Sequence, residues 1–232
     1  APNRSHSGYG GVRCLVGPLG CGLDLAAMRC LADILNGRGS LFFTGLFFCY
    51  GGLWVMAKRS GSYVVPFSFD LLSFGEAVGL AADTGRISGD AGPLLETVVD
   101  MLDELGRPDE YFDCIQVAGT NGKTSTTRFS AAILRGEGLK TALYTSPQLV
   151  RYPERMEVDG RVVSDEAFAR GVSAAVEAGR RVNAHRLAAG ERAYTITPFD
   201  LLTAAALVVF AEAAVDVAVL EVGMGGRWDA TS

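Results

Sequence analysis

Val117-Ala118-Gly119-Thr120-Asn121-Gly122-Lys123-Thr124-Ser125 is the stretch that decides how this chain folds. It follows a short apolar run, 112–118, and opens a helical segment that the glycines Gly136 and Gly138 stop. A strand, a glycine-containing turn and a helix start form the setting of a phosphate-binding loop. The glycines let backbone N–H groups approach phosphate oxygens, and the helix N-terminus adds a dipole that favours negative charge. In that setting Lys123 supplies a point charge to the β- and γ-phosphates, and Thr124 or Ser125 offers a hydroxyl to Mg2+ or phosphate. The alternative is a plain Gly-Lys turn at a helix start. Two residues separate Gly119 from Gly122, two fewer than in the common G-x-x-x-x-G-K-[ST] loop, which narrows the set of proteins it matches.

Outward from this loop the chain alternates between helical and strand patterns. Leu94, Leu95, Val98, Val99, Leu102 and Leu105 share one helical face, and Gly106 with Pro108 ends that helix. Thr141–Tyr144 is the next strand, and 156–158 and 162–163 flank Asp159-Gly160-Arg161, a turn signal for a small hairpin. Ser164 caps a long helix running to about residue 189, with Gly190 beyond it. Thr197-Pro198-Phe199-Asp200 has capping-box spacing with Pro at the first helical position, and the following 201–213 is apolar on nearly all sides, so it is expected to be buried. A β-branched strand over 215–222 carries Glu221 at its end, followed by Gly223. Near-continuous apolar strands separated by helices predict an α/β fold, with a parallel sheet covered by helices on both faces around the phosphate loop. Glu221 stands out, because a carboxylate at the end of such a strand is costly to bury unpaired. A structural ion pair with Arg227 is its reading without function.

Composition separates two pieces. The 232 residues carry 21 Lys and Arg against 26 Asp and Glu, a formal net charge of −5, with 49% hydrophobic residues. That balance suits a sizeable core and argues against nucleic-acid or anionic-membrane partners. Glycine is abundant, 29 residues, and 12 of them fall in residues 1–61. Cys14, Cys21, Cys30 and Cys49 show neither a C-x-x-C pair nor a His at ligand spacing, so reduced thiols are expected rather than a zinc site or disulfide framework. Cys114, in an apolar run, is expected to pack as a small hydrophobe. The stretch 41–57 is apolar but short for a spanning helix and contains Gly45, Gly51 and Gly52. Residues 1–55 carry no motif and, with Met56 resembling an ordinary start, are read as an atypical N-terminal extension outside the folded unit.

Ala118 to Ser125 resembles the loop of the Mur-ligase superfamily of ATP-dependent amide-bond ligases. Two further segments select a branch. Tyr144-Thr145-Ser146-Pro147-Gln148-Leu149-Val150-Arg151-Tyr152-Pro153-Glu154-Arg155 is similar to the T-S-P-H-L-V-R-x-x-E-R segment of the folylpolyglutamate synthase/dihydrofolate synthase family. Glu221-Val222-Gly223-Met224-Gly225-Gly226-Arg227-Trp228-Asp229-Ala230-Thr231 matches that family's E-V-G-L-G-G-R-x-D-A-T-N. The resemblance covers about residues 70–232. It implies that 56–232 is part of an ATP-binding domain like the Mur-ligase central domain, incomplete here, with the glutamate-ligase domain beyond it absent.

The resemblance also implies roles. Gly119, Thr120, Asn121, Gly122, Lys123, Thr124 and Ser125 bind ATP, with Lys123 catalytic. Ser146, Glu221 and Thr124 hold Mg2+, and K+ is a further cation the family allows. Gln148, Leu149, Arg151, Arg155, Phe199 and Asp229 lie at the substrate, with Phe199 against a pterin ring. The implied reaction joins L-glutamate to dihydropteroate or a folate through an acyl phosphate, in a cytoplasmic monomer, and this chain alone is expected to show no turnover. Departures exist: Thr124 stands for the family's Gly, Gln148 for His, Pro153 for Asn and Asp200 for Glu. Lys-Thr-Ser keeps a UDP-muramoyl-peptide ligase open, and a non-catalytic nucleotide-binding remnant is the other alternative.

Overall fold

The computed structural model describes residues 59–83, 95–225 and 229–232. The readings of residues 1–55, Leu94, Gly226 and Arg227 lie outside them. Among the described residues five strands form one sheet: β1 (Asp113–Val117), β2 (Thr141–Tyr144), β3 (Met156–Val158), β4 (Arg161–Val162) and β5 (Val217–Glu221), in the spatial order β1-β5-β2-β3-β4. β5 lies between β1 and β2 and is parallel to both. The parallel arrangement expected from the apolar strands therefore holds for β1, β5 and β2. The hairpin adds an antiparallel edge, so the whole sheet is mixed. Asp159 (φ 52°) and Gly160 (φ 77°) both take positive φ, the two-residue geometry that matches the twist of a tight hairpin.

Side-chain parity sorts the strands into two cores. Ile115 and Val117 of β1, Leu143 of β2, and Val217 and Val219 of β5 pack on one face, with Ala131 and Leu134 of the helix α3 (Lys123–Gly136). Ala142, Tyr144, Ala218 and Leu220 point to the other face. There they meet α1 (Phe74–Ala82), α2 (Leu95–Glu104), α4 (Asp165–Ala188) and α5 (Pro198–Glu212). Successive strand residues alternate faces, so a VAVLE strand between two helical layers must read as continuously apolar.

α5 is the centre of the larger core. Thr197 Oγ1 accepts from Asp200 N at 3.1 Å while the Asp200 carboxylate accepts from Thr197 N at 2.9 Å, the capping box expected from the spacing. Every residue from Asp200 to Ala211 is buried, as an all-round apolar helix requires. α4 approaches α5 closely at Gly171. A Cβ added there would lie 2.7 Å from Val209 Cγ2 and 2.8 Å from the backbone oxygen of Ala205, so only glycine permits the crossing. Arg170 of α4 binds Glu212 of α5 with Nη2 2.7 Å from Oε1. Upstream, extended chain lies over this helical layer: Tyr63 Oη donates to Leu105 O at 2.7 Å and Leu72 N to Ser173 Oγ at 3.0 Å. Cys114 is half-buried against the same core. Among the described residues no helix is long and apolar enough to cross a membrane.

Candidate nucleotide and substrate site

β1, β5 and β2 run in the same direction and end level with one another: Val117 pairs with Glu221, and Tyr144 with Leu220. The segments leaving these three ends therefore converge, and the crevice beyond the carboxyl ends of parallel strands is where such sheets bind ligands. From β1 the chain enters residues 118–122, with Gly122 in the left-handed region at φ 76°, and turns straight into α3. The first N–H groups of a helix have no partner within it, and here they open onto the loop. Lys123 folds back, its Nζ donating to Gly119 O at 2.9 Å, so its ammonium lies across the mouth of the loop. Thr120, Asn121 and Gly122 are exposed and form the rim.

Glu221 shares the parity of Val217 and Val219, which aims its side chain at the α3 face of the sheet. It is only 2% exposed. Its carboxylate accepts from Thr124 Oγ1 at 2.8 Å and from Ser146 N at 3.2 Å. Three segments far apart in sequence thus meet at one buried carboxylate: the phosphate loop, the end of β5 and the loop after β2. Ser125, one residue on, is exposed and does not join this contact.

The predicted substrate residues form a second group on the other face. Phe199, at the start of α5, is half-buried and tilts against Tyr144, ring centroids 6.1 Å apart. Gly223 lies beneath it: a Cβ there would stand 2.5 Å from Phe199 Cζ, so the glycine gives the ring its seat two residues past Glu221. Asp229, 4% exposed, accepts from Met224 N at 2.8 Å, Thr231 N at 3.0 Å and Thr231 Oγ1 at 2.6 Å. It therefore folds its own loop, and Gln116 fastens that loop to β1 by donating to Thr231 Oγ1 at 2.9 Å.

Gln148 and Arg155 are joined, Arg155 Nε donating to Gln148 Oε1 at 2.6 Å. Arg151 is directed away from the phosphate loop. Its Nη2 donates to both Asp165 oxygens at 2.8 Å, and its guanidinium lies 5.5 Å from the centre of the Phe74 ring. Leu149 is exposed at the tip of the loop.

Of two further residues here, sequence reasoning missed Tyr144 and read Asp200 only as a helix cap and a departure from the family's Glu. Tyr144 is fully buried, and desolvation pushes its phenol up to about 12 despite the Thr203 hydroxyl and Arg155 nearby. Asp200 is held above the ordinary aspartate range, first by burial and further by the charge of Asp229, against the lowering hydrogen bonds from Thr197. Tyr144 reads as a plain strand residue and Asp200 as a plain cap; only the packing of α5 on the sheet brings them to the site.

No family model matches the chain. It is 43% identical over 161 residues to a probable bifunctional folylpolyglutamate synthase/dihydropteroate synthase of Haloferax volcanii, covering 69% of this chain and 18% of that protein. It is 38% identical over 141 residues to the dihydrofolate synthase/folylpolyglutamate synthase of Mycobacterium tuberculosis, covering 60% and 29%. Among solved structures, the M. tuberculosis folylpolyglutamate synthase complexed with ADP aligns at TM-score 0.60 and 34% identity, over 68% of this chain and 34% of that one. The apo form of L. casei FPGS aligns at TM-score 0.61 and 31% identity, over 69% and 37%. The chain spans less than a third of the length of either of these two curated relatives. Fold, strand-end geometry and sequence agree, and through this shared segment the chain belongs to the folylpolyglutamate synthase/dihydrofolate synthase family.

Proposed function

We propose that this chain supplies the Mg-ATP and pterin-binding part of an ATP-dependent ligase that joins L-glutamate to dihydropteroate or a folate. The observation that carries the reading is the Thr124–Glu221–Ser146 contact, which sets a buried carboxylate and a hydroxyl beside a phosphate loop. Those are hard oxygen donors, the kind Mg2+ takes a few of while phosphate and water complete its shell. Thr124 and Glu221, with Ser146, would hold Mg2+, and when bound it neutralises charge on the β- and γ-phosphates. K+ belongs to the same reading as a second cation.

The residues of the chain have definite work in this scheme. The loop amides of 119–123 and Lys123 bind and orient the phosphates, leaving Gly119 O when nucleotide enters. They stabilise charge as the γ-phosphoryl moves to a substrate carboxylate, and preorganised donors of this kind act through orientation rather than new bonds. The resulting acyl phosphate is open to attack by the glutamate amine, with release of phosphate. Phe199 over Gly223 offers a flat apolar surface to the pterin, and Gln148, Leu149, Arg151, Arg155 and Asp229 build the loops around it. A monomer in the cytoplasm, where ATP and reduced thiols coexist, completes the reading.

The folylpolyglutamate synthase structures with ADP and with AMPPCP and folate support it, since they share this fold over about two thirds of the chain. Calorimetric titration tests it: ADP should bind more tightly with Mg2+ than without, and dihydropteroate should bind where a UDP-muramoyl peptide does not. Binding of the muramoyl peptide alone would move the chain to the neighbouring ligase branch.

A further inference from the structure

In the loop between β2 and β3, several backbone amides meet the side chain of Glu154. Glu154 Oε2 accepts from Leu149 N at 3.0 Å and Val150 N at 3.1 Å, and Oε1 accepts from Arg151 N at 3.0 Å. Three consecutive amides thus converge on a single carboxylate, a charge-assisted arrangement that fixes the backbone they belong to. The charged groups of the loop are also occupied. Arg151 is held by Asp165 and Phe74, and Arg155 is bonded to Gln148 and lies 5.6 Å from the centre of the Tyr152 ring. Beside the paired Arg151, whose side chain is 55% exposed, the loop presents two apolar side chains outward: Leu149 is 94% exposed and Val150 85% exposed.

We propose that Glu154 is a positioning residue, which holds the 148–152 backbone so that Leu149 and Val150 form a preset apolar face for the flat ring system of the substrate. The inference rests on the ligase reading above and adds to it a division of labour within the loop. The arginines build the loop, and the two aliphatic side chains read the substrate. Two adjacent exposed aliphatic residues on a loop without such a clamp would lose the gain of contact to the cost of ordering the backbone on binding. A carboxylate that has already ordered those amides removes most of that cost.

Amide hydrogen exchange on the full 232-residue chain reads the clamp directly. Glu154→Ala should speed exchange at Leu149, Val150 and Arg151 by about tenfold or more, the scale of losing hydrogen bonds to a charged acceptor, while α5 and β5 amides are unchanged. Dihydropteroate binding should weaken by about tenfold and ADP binding by less than twofold, and Glu154→Asp should recover part of both losses. Leu149→Ser with Val150→Ser changes only exposed side chains; it should weaken dihydropteroate binding and leave exchange at 154–156 as it was. Unchanged exchange at the three amides in Glu154→Ala would overturn the clamp. Faster exchange with undiminished dihydropteroate affinity would overturn its role in substrate binding. If the unmodified chain binds ADP but no dihydropteroate, the ligase reading fails, and the exchange data still judge the clamp.

Discussion

In the proposed nucleotide site Lys123 and Glu221 differ in charge and in depth. Lys123 sits at the mouth with its ammonium on a loop carbonyl, a contact that on the proposed reading a nucleotide phosphate would replace with a stronger charged one. Lys123→Ala is expected to weaken ADP binding by on the order of 10- to 100-fold in calorimetry, the range for losing a hydrogen bond to a charged group. Glu221 is buried, with Thr124 Oγ1 and Ser146 N as its partners among the described residues. Glu221→Gln preserves its shape and should remove most of the Mg2+-dependence of ADP affinity while changing metal-free affinity little. Asp200 gives a pH effect of known sign. Burial raises its carboxyl above 3.8, so the folded chain holds that proton more tightly than the unfolded one. The stability this contributes is full below 3.8 and is lost as pH rises through the raised value. The thermal midpoint of the unmodified chain should therefore fall more steeply than that of Asp200→Asn as pH rises above 3.8. Parallel curves would show that Asp200 is not held up.

Among the elements, the α4–α5 pair carries the most packing, and two glycines of α4 separate two kinds of crowding. At Gly171 the obstacle to a Cβ includes the Ala205 backbone oxygen at 2.8 Å. At Gly179 the nearest atom, at 2.4 Å, is Ile196 Cδ1, the far end of a flexible side chain. Backbone cannot give without moving α5, whereas Ile196 can turn. Gly171→Ala is expected to cost about 1–3 kcal/mol in denaturant unfolding, the range for overpacking a close-packed core. Gly179→Ala should cost clearly less, helped by alanine's better helix propensity. Both positions look alike in the sequence, two small residues on a long amphipathic helix. The strands and caps were legible because each has a local cause: the Thr197–Asp200 box, the Asp159-Gly160 turn, the β-branched apolar run of β5. The crossing at Gly171 has no local cause and was not legible.

For the molecule as a whole, ligand and fold are linked, because the phosphate loop, β5 and the β2 loop meet at one carboxylate. A ligand that binds only the folded chain raises its stability by RT ln(1 + [L]/Kd). Mg-ADP should therefore raise the unfolding midpoint in a thermal scan, ADP with a chelator should raise it less, and Glu221→Gln should reduce the Mg-dependent part. The sheet places these groups through its strand order: β5 enters between β1 and β2, so its last residue stands between the phosphate loop and Ser146.

By itself the sequence determined the phosphate loop, the α/β alternation and the family, because glycine spacing, capping residues and apolar period act over a few residues and are written in order along the chain. It also singled out Glu221 as a carboxylate closing an apolar strand, a local feature. Only the tertiary structure decided what Glu221 meets. Strand order, the hairpin's place on the sheet edge, the seat of Phe199 over Gly223 and the three amides gathered by Glu154 depend on which surfaces pack and which loops close. Those are contacts between distant residues or backbone geometry, and no local pattern records them.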